Sequence, residues 1–197
     1  MSEKQRVKTR TILDAAERLF LDLGYVGTTM DAVANEAAVT KQTVYRYFPS
    51  KADLVAALVR GFDGEGARFT FGDETLEEEL LRYGNAFLTR HMTARNLGFF
   101  RLMLAESREH AELGEIFRSQ AQPKWHGVLS AFLADRLDAA TVSVDEVAHL
   151  FHAMLSSPRT AVLMGNRPPL SEAEIASHTS LVVSVFLDGV CKTAKGS

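Results

Sequence analysis

AVTKQTVYRYFPSK, residues 38–51, decides the fold. Between Val39 and Phe48 it has the length of a short helix, yet Val44 and Phe48 are its only clearly buriable side chains. The rest are Lys, Gln, Thr, Arg and two Tyr. Thr40 stands where an N-cap hydroxyl would accept a free helical N–H, and Pro49 closes the far end. So short a helix is held by its neighbours rather than by itself, which leaves a face dense in hydrogen-bond donors for a partner dense in acceptors.

The flanking sequence supplies those neighbours. In TRTILDAAERLFLDLGY, residues 9–25, Ile12, Ala16, Leu19, Phe20 and Leu23 recur at helical spacing, and Gly24 offers a left-handed stop. Thr28, three residues before Asp31, predicts the cap of a short helix over about 28–36, with Met30, Val33 and Ala34 inward. Ser50 and Asp53 predict the start of another at Lys51, running to about residue 62 or 68. Two short helices joined by a tight turn holding Val39 make helix-turn-helix geometry. With Val44 and Phe48 in the core, Gln42, Thr43 and Arg46 point outward and Tyr45 and Tyr47 flank them. Lys41 and Gln42 fall in the first turn, the part of a recognition helix that meets base edges. Gln suits adenine N6 and N7, Lys suits guanine O6 and N7, and a Thr methyl suits a thymine methyl. The Tyr hydroxyls, Lys51 and the helix terminus beside it suit phosphates. A merely solvated polar face is the competing reading; the agreement of start, stop and pattern weighs against it.

The chain has 197 residues, 46% of them hydrophobic, enough for one or two packed domains. One cysteine, Cys191, excludes an internal disulfide framework and a Cys-based metal cage, and reads as a buried spectator thiol. The net charge of −3 hides an asymmetry: residues 1–60 hold nine Lys/Arg against seven Asp/Glu, whereas the remainder holds 13 against 18. A slightly basic head on an acidic body fits local contact with a polyanion. No apolar run approaches the ~18 residues of a membrane span, and no leader opens the chain, so no membrane partner and a cytoplasmic location are expected. Gly-rich GFDGEGARFTFGDE, residues 61–74, breaks the pattern. It divides an N-terminal domain, 1–66, from a C-terminal one, 67–197. Helices are expected there over about 74–93, 95–109, 112–137, 144–165 and 171–193, with kinks or breaks at Pro123 and Pro158 and a Ser171/Glu174 cap. With no convincing strand, the fold class is all-α.

The first 60 or so residues resemble the TetR family of bacterial one-component regulators. TILDAAERLFLDLGY (11–25), TTMDAVANEAAVTKQTVYRYF (28–48) and PSKADLVAAL (49–58) carry the likeness, and the YRYFPSK ending is its most specific part. The resemblance implies a three-helix helix-turn-helix domain followed by a helical ligand-binding and dimerisation domain. It also implies a symmetric dimer on a palindromic double-stranded DNA operator, most simply as a repressor released by an effector. Thr28 or Thr29, Thr40, Lys41, Gln42, Thr43, Tyr45, Tyr47 and Lys51 fall on the family's DNA-binding positions; Arg46 sits where the family varies. Lys4, Arg6, Lys8 and Arg10 are either an arm for phosphates or the minor groove or a solubilising tail. FFRLMLAESREHAELGEIF, residues 99–117, is weakly similar to the C-terminal domain of AefR-like members.

In such a regulator the last two helices of each chain build a four-helix homodimer interface. Phe151, Leu181, Val182, Val185 and Phe186 are the candidates, although a helix so apolar could also be buried in its own domain. Phe99, Met103, Trp125 and His152 are, as a group, the candidate pocket for a small, partly apolar effector, against an ordinary helical core as the bland reading. No cofactor and no metal is expected. The rivals are a ligand-independent DNA organiser and an all-α metal-dependent enzyme. No P-loop, G-x-S-x-G, G-x-G-x-x-G or H-E-x-x-H occurs, and the His149/His152 pair lacks a third ligand nearby in sequence.

Overall fold

A computed structural model describes the backbone of residues 2–61, 69–137 and 143–195, and side chains throughout except at 120–124 and 190–195. The Cys191 side chain and the 66/67 boundary therefore lie outside what is described. Eleven α-helices and one π-helical turn make up the described chain, and no strand occurs among the described residues. Two compact units form: Met1–Glu65 with Gly98–Ala121, and Gly66–Leu97 with Gln122–Ser197. This differs from a division into 1–66 and 67–197, because residues 98–121 pack with the head.

In the first unit, α1 (Glu3–Gly27) begins earlier than expected, since Ser2 and Gln5 form a reciprocal capping box. The basic residues 4–10 are therefore helical, not a tail. The helix also runs past the expected stop: Gly24 interrupts it at φ 75°, and helix resumes to Gly27. Only glycine takes that φ without strain, and a Cβ there would meet Glu106 Oε1 at 2.9 Å. Gly24→Ala is expected to cost about 1–2 kcal/mol, read as a lower denaturation midpoint with an unchanged slope. An unaltered midpoint would show that the break is not obligatory.

Helices α2 (Met30–Glu36) and α3 (Lys41–Tyr47) follow, joined by a turn in which Ala38 takes φ 52°. The cap of α2 is Thr29, whose hydroxyl accepts from Ala32 N, and not Thr28. Thr40 caps α3 by accepting from Thr43 N at 3.2 Å, and Ser50 caps α4 (Lys51–Gly61) by accepting from Asp53 N at 3.2 Å, both as expected. Val44, fully buried, and Phe48 pin α3 to a core built on Ile12, Phe20, Val33, Leu54 and Leu58. Phe99, Leu102, Met103 and Leu113 complete that core. Of these, Leu113 belongs to α7 (Ala111–Ile116), which packs on α4.

The second unit holds α5 (Leu76–His91), α8 (Gln122–Ala134), α9 (Val144–Ser156), α10 (Arg159–Leu163) and α11 (Glu172–Lys195). The chain crosses between units within α6 (Ala94–Glu106). The helix expected over 112–137 is instead α7, a π-helical turn at Phe117–Ala121, and α8, with the irregular turn just before Pro123, which has no N–H to give. Pro158 separates α9 from α10 as expected, and Ser171 with Glu174 forms the reciprocal cap before α11. Helices α5 and α11 approach closely: a Cβ on Gly84 would meet Thr179 Cγ2 at 2.6 Å.

Candidate functional site

Helix α3 presents Lys41, Gln42, Tyr45 and Arg46 to solvent, with Thr43 half-buried between them. Local bonds hold this face in place. Thr40 and Thr43 hydroxyls lie 2.8 Å apart, and Lys41 Nζ pairs with Asp31 of α2 at 2.7 Å. Asp31 raises the Lys41 pKa, so the ammonium stays charged across any working pH. Exposed pairs of this kind add little stability but limit where the side chains point. Tyr45 and Tyr47 diverge: Tyr45 is exposed and lies 5.9 Å below Lys41 Nζ, whereas Tyr47 packs partly into the core beneath Arg46, 5.2 Å away. A groove of about 860 Å³ runs between the start of α1 and the end of α3, lined by Lys4, Lys8, Arg46 and Tyr47 among others. The basic start of α1 and the end of α3 are thus neighbours.

Thr28 has to be removed from the candidate contacts. It is fully buried, and its Oγ1 donates to Gly24 O at 2.8 Å, so its hydroxyl seals the break in α1. Thr29, exposed, is the one available outside. Lys51 is partly committed inside the protein: Nζ donates to Tyr25 O at 2.7 Å and stands 4.4 Å over the Tyr25 ring. Two of its three ammonium hydrogens are left for an external acceptor.

Tyr25 centres a network that sequence reasoning missed. Its N–H donates to Glu106 Oε1 at 3.1 Å, its hydroxyl donates to Glu112 Oε1 at 3.2 Å, and the His110 ring packs edge-on at 5.1 Å. Burial, then the Glu112 carboxylate, pushes the Tyr25 phenol up to about 12. The only sequence signal for these contacts was the run of acidic residues around His110, which local spacing does not connect to Tyr25.

The four effector candidates divide between the two cores. Phe99 and Met103 are buried in the head core, while Trp125 and His152 lie in the second unit. There Tyr83 OH sits 2.6 Å from His152 Nε2 and 2.9 Å from Trp125 O, ringed by Phe69, Phe71, Phe87 and Trp125. Burial, then the neighbouring His126, His91 and His149, lowers His152 to about 3, so its ring is neutral. Burial likewise raises the Tyr83 pKa and keeps the phenol protonated. His149 is exposed, and no group of three or more His, Cys, Asp or Glu able to hold a metal occurs among the described residues.

The dimer candidates also split. Phe151, Val182 and Phe186 are internal, with the Phe151 and Phe186 rings 4.8 Å apart. Leu181 and Val185, one turn apart on α11, are 62% and 53% exposed, and Leu150 on α9 is 60% exposed. These three are the large apolar side chains that α9 and α11 leave exposed among the described residues.

Comparison with known proteins agrees with this layout. Residues 12–58 match the bacterial regulatory proteins of the tetR family, and residues 78–189 match the C-terminal domain of AefR-like transcriptional repressors. The HTH-type transcriptional regulator Rv1556 of Mycobacterium tuberculosis is 28% identical over 163 residues, 82% of this chain and 79% of its own. The repressor KstR of Mycolicibacterium smegmatis is 48% identical over 63 residues, 32% of this chain and 31% of its own. Among solved structures, the flavonoid-responsive regulator FrrA superposes with a TM-score of 0.75 at 25% identity, covering 92% of this chain and 96% of that one. Salmonella enterica GusR gives 0.70 at 19%, covering 97% and 98%. The molecule is a helix-turn-helix regulator of transcription. It belongs to the TetR family, in the group whose C-terminal domain is AefR-like.

Proposed function

We propose that the chain is a one-component cytoplasmic repressor. It binds an inverted-repeat operator as a homodimer and leaves it when a small, partly apolar effector enters the C-terminal domain. The observation that carries this reading is the outward face of α3, capped by Thr40, pinned by Val44 and Phe48, and exposing Lys41, Gln42, Tyr45 and Arg46. Residues 1–66 supply DNA binding and 67–197 effector binding and dimerisation. Gln42 and Lys41 read base edges in the major groove, Thr43 offers a methyl to thymine, and Thr29, Thr40, Tyr45, Tyr47 and Lys51 take phosphates. Arg46, beside Lys4 and Lys8 in one groove, extends the contact along the backbone. Leu181, Val185 and Leu150 supply the dimer contact, which sets two α3 helices about 34–36 Å apart on one side of the duplex. Repression, rather than activation, follows the description of the AefR-like domain.

Selection from a random DNA pool tests the reading. A palindrome with half-sites about one helical turn apart is expected; pools that enrich no duplex would overturn it. Gln42→Ala is then expected to relax preference at defined positions of each half-site, losing roughly 1–3 kcal/mol of discrimination per bidentate contact. The same consensus from parent and variant would remove Gln42 from base readout.

A further inference from the structure

Between α4 and α5 the chain does not run free. Phe69, Thr70, Phe71 and Gly72 form a non-helical strap laid across the aromatic cluster of the second unit. Phe71 stacks on Phe132 at 3.7 Å and 9°, and on Tyr83 at 5.3 Å and 16°. Phe69 meets Tyr83 edge-on at 5.1 Å and lies 6.5 Å from Trp125. Four polar contacts tie the strap down. Glu79, wholly buried, accepts from Gly72 N at 2.6 Å and pairs with Arg82. Arg82 donates to Thr70 O at 2.8 Å and lies 4.6 Å over the Phe69 ring. Arg136 reaches Gly72 O at 3.5 Å. Both phenylalanines remain only half-buried.

The Tyr83 ring that both phenylalanines touch carries a hydroxyl paired with the His152 imidazole, a polar pair where a core would be apolar. Flat stacking on Tyr83 and Phe132 is already satisfied by a side chain from the chain's own linker. A flat ring from outside would make the same contacts and could, in addition, hydrogen-bond the polar pair, which neither phenylalanine can do. We propose that Phe69 and Phe71 are a built-in occupant of the effector site, and that the effector is a planar aromatic molecule bearing one hydroxyl or carboxyl group that displaces them. The inference rests on the sensor reading above. In sequence, only residues 62–68 separate the strap from α4. The ligand's differential affinity for strap-on and strap-off states then becomes its leverage on operator binding.

Trp125, the single tryptophan, lies in the cluster and reports on it. The full-length protein is titrated with 2-naphthol, followed by Trp125 emission and by release from the selected operator, with decahydro-2-naphthol as the non-planar control. Phe71→Ala is expected to bind 2-naphthol about tenfold more tightly than the parent, since one stacked ring no longer competes. Phe71→Leu, which keeps apolar bulk but no ring, should show the same direction and guards against loss of folding, checked by thermal melting. The control should bind neither variant better than the parent. Equal or weaker 2-naphthol affinity in both variants overturns the strap as occupant. Tighter binding of the non-planar control overturns the aromatic class. If the operator is released by some other compound while 2-naphthol binds no form, the inference fails but the sensor reading stands. If no compound ever moves the operator equilibrium, the sensor reading itself has failed.

Discussion

Leu181→Arg combined with Val185→Arg is expected to sediment as a monomer, to melt close to the parent, and to lose operator affinity by about 10²–10⁴-fold. The size comes from linkage. In a dimer the second recognition helix binds at an effective concentration set by the rigid body, and a monomer forfeits that gain without losing any contact of its own. The specificity of the test comes from α11. Leu181 and Val185 face outward, so new charges there meet water in the isolated chain. Val182 and Phe186, one position on in each case, are 5% exposed, and arginine at either would destroy the core instead. Sedimentation and operator titration are read together: a dimer of unchanged affinity would remove this face from the interface.

Acidification is expected to loosen the second unit from within. His152 titrates near 6.5 in an unfolded chain, whereas burial and its histidine neighbours hold it near 3 when folded. Above about pH 6.5 the ring is neutral in both states and pH has no leverage through it. Below that value the unfolded chain binds a proton that the folded one refuses, so stability falls as pH falls, by on the order of 1.4 kcal/mol per pH unit, until about pH 3. The groups facing this ring are Tyr83, His91, His126 and His149; the nearby carboxylate, Asp145, is engaged with His126 at 2.7 Å. His152→Gln keeps a hydrogen-bonding group and removes the titration. Denaturation followed through Trp125 at pH 7, 6, 5 and 4 should give a shallower decline for the variant. Parallel curves would show that another group governs acid sensitivity.

What could be read from the sequence was what depends on a few adjacent residues. Thr40, Ser50 and Ser171 cap the helices they were expected to cap, because an N-cap and its acceptor site are three residues apart. Val44 and Phe48 were identifiable because nothing else in that helix is apolar. Thr28 and Thr29 were not separable: the choice depends on how the backbone leaves Gly24, where the Tyr25 N–H donates to Glu106, 81 positions away in sequence. The dimer candidates divide between inside and outside for a similar reason. One step along a helix turns a side chain by about 100°, so Leu181 and Val182 share a composition but not a face. Phe99, Met103, Trp125 and His152 were grouped by residue type, and residue type does not reveal which of two cores a side chain joins.

That Phe99, Leu102, Met103 and Leu113 share a core with Ile12, Phe20 and Leu54 has a practical outcome for engineering. A fragment cut after Gly61 would carry every residue proposed to read bases yet leave an oily scar where those four side chains had sat. Chimaeras that graft this reading head onto a foreign sensor should therefore import residues 98–121 alongside it, as one cassette in two pieces.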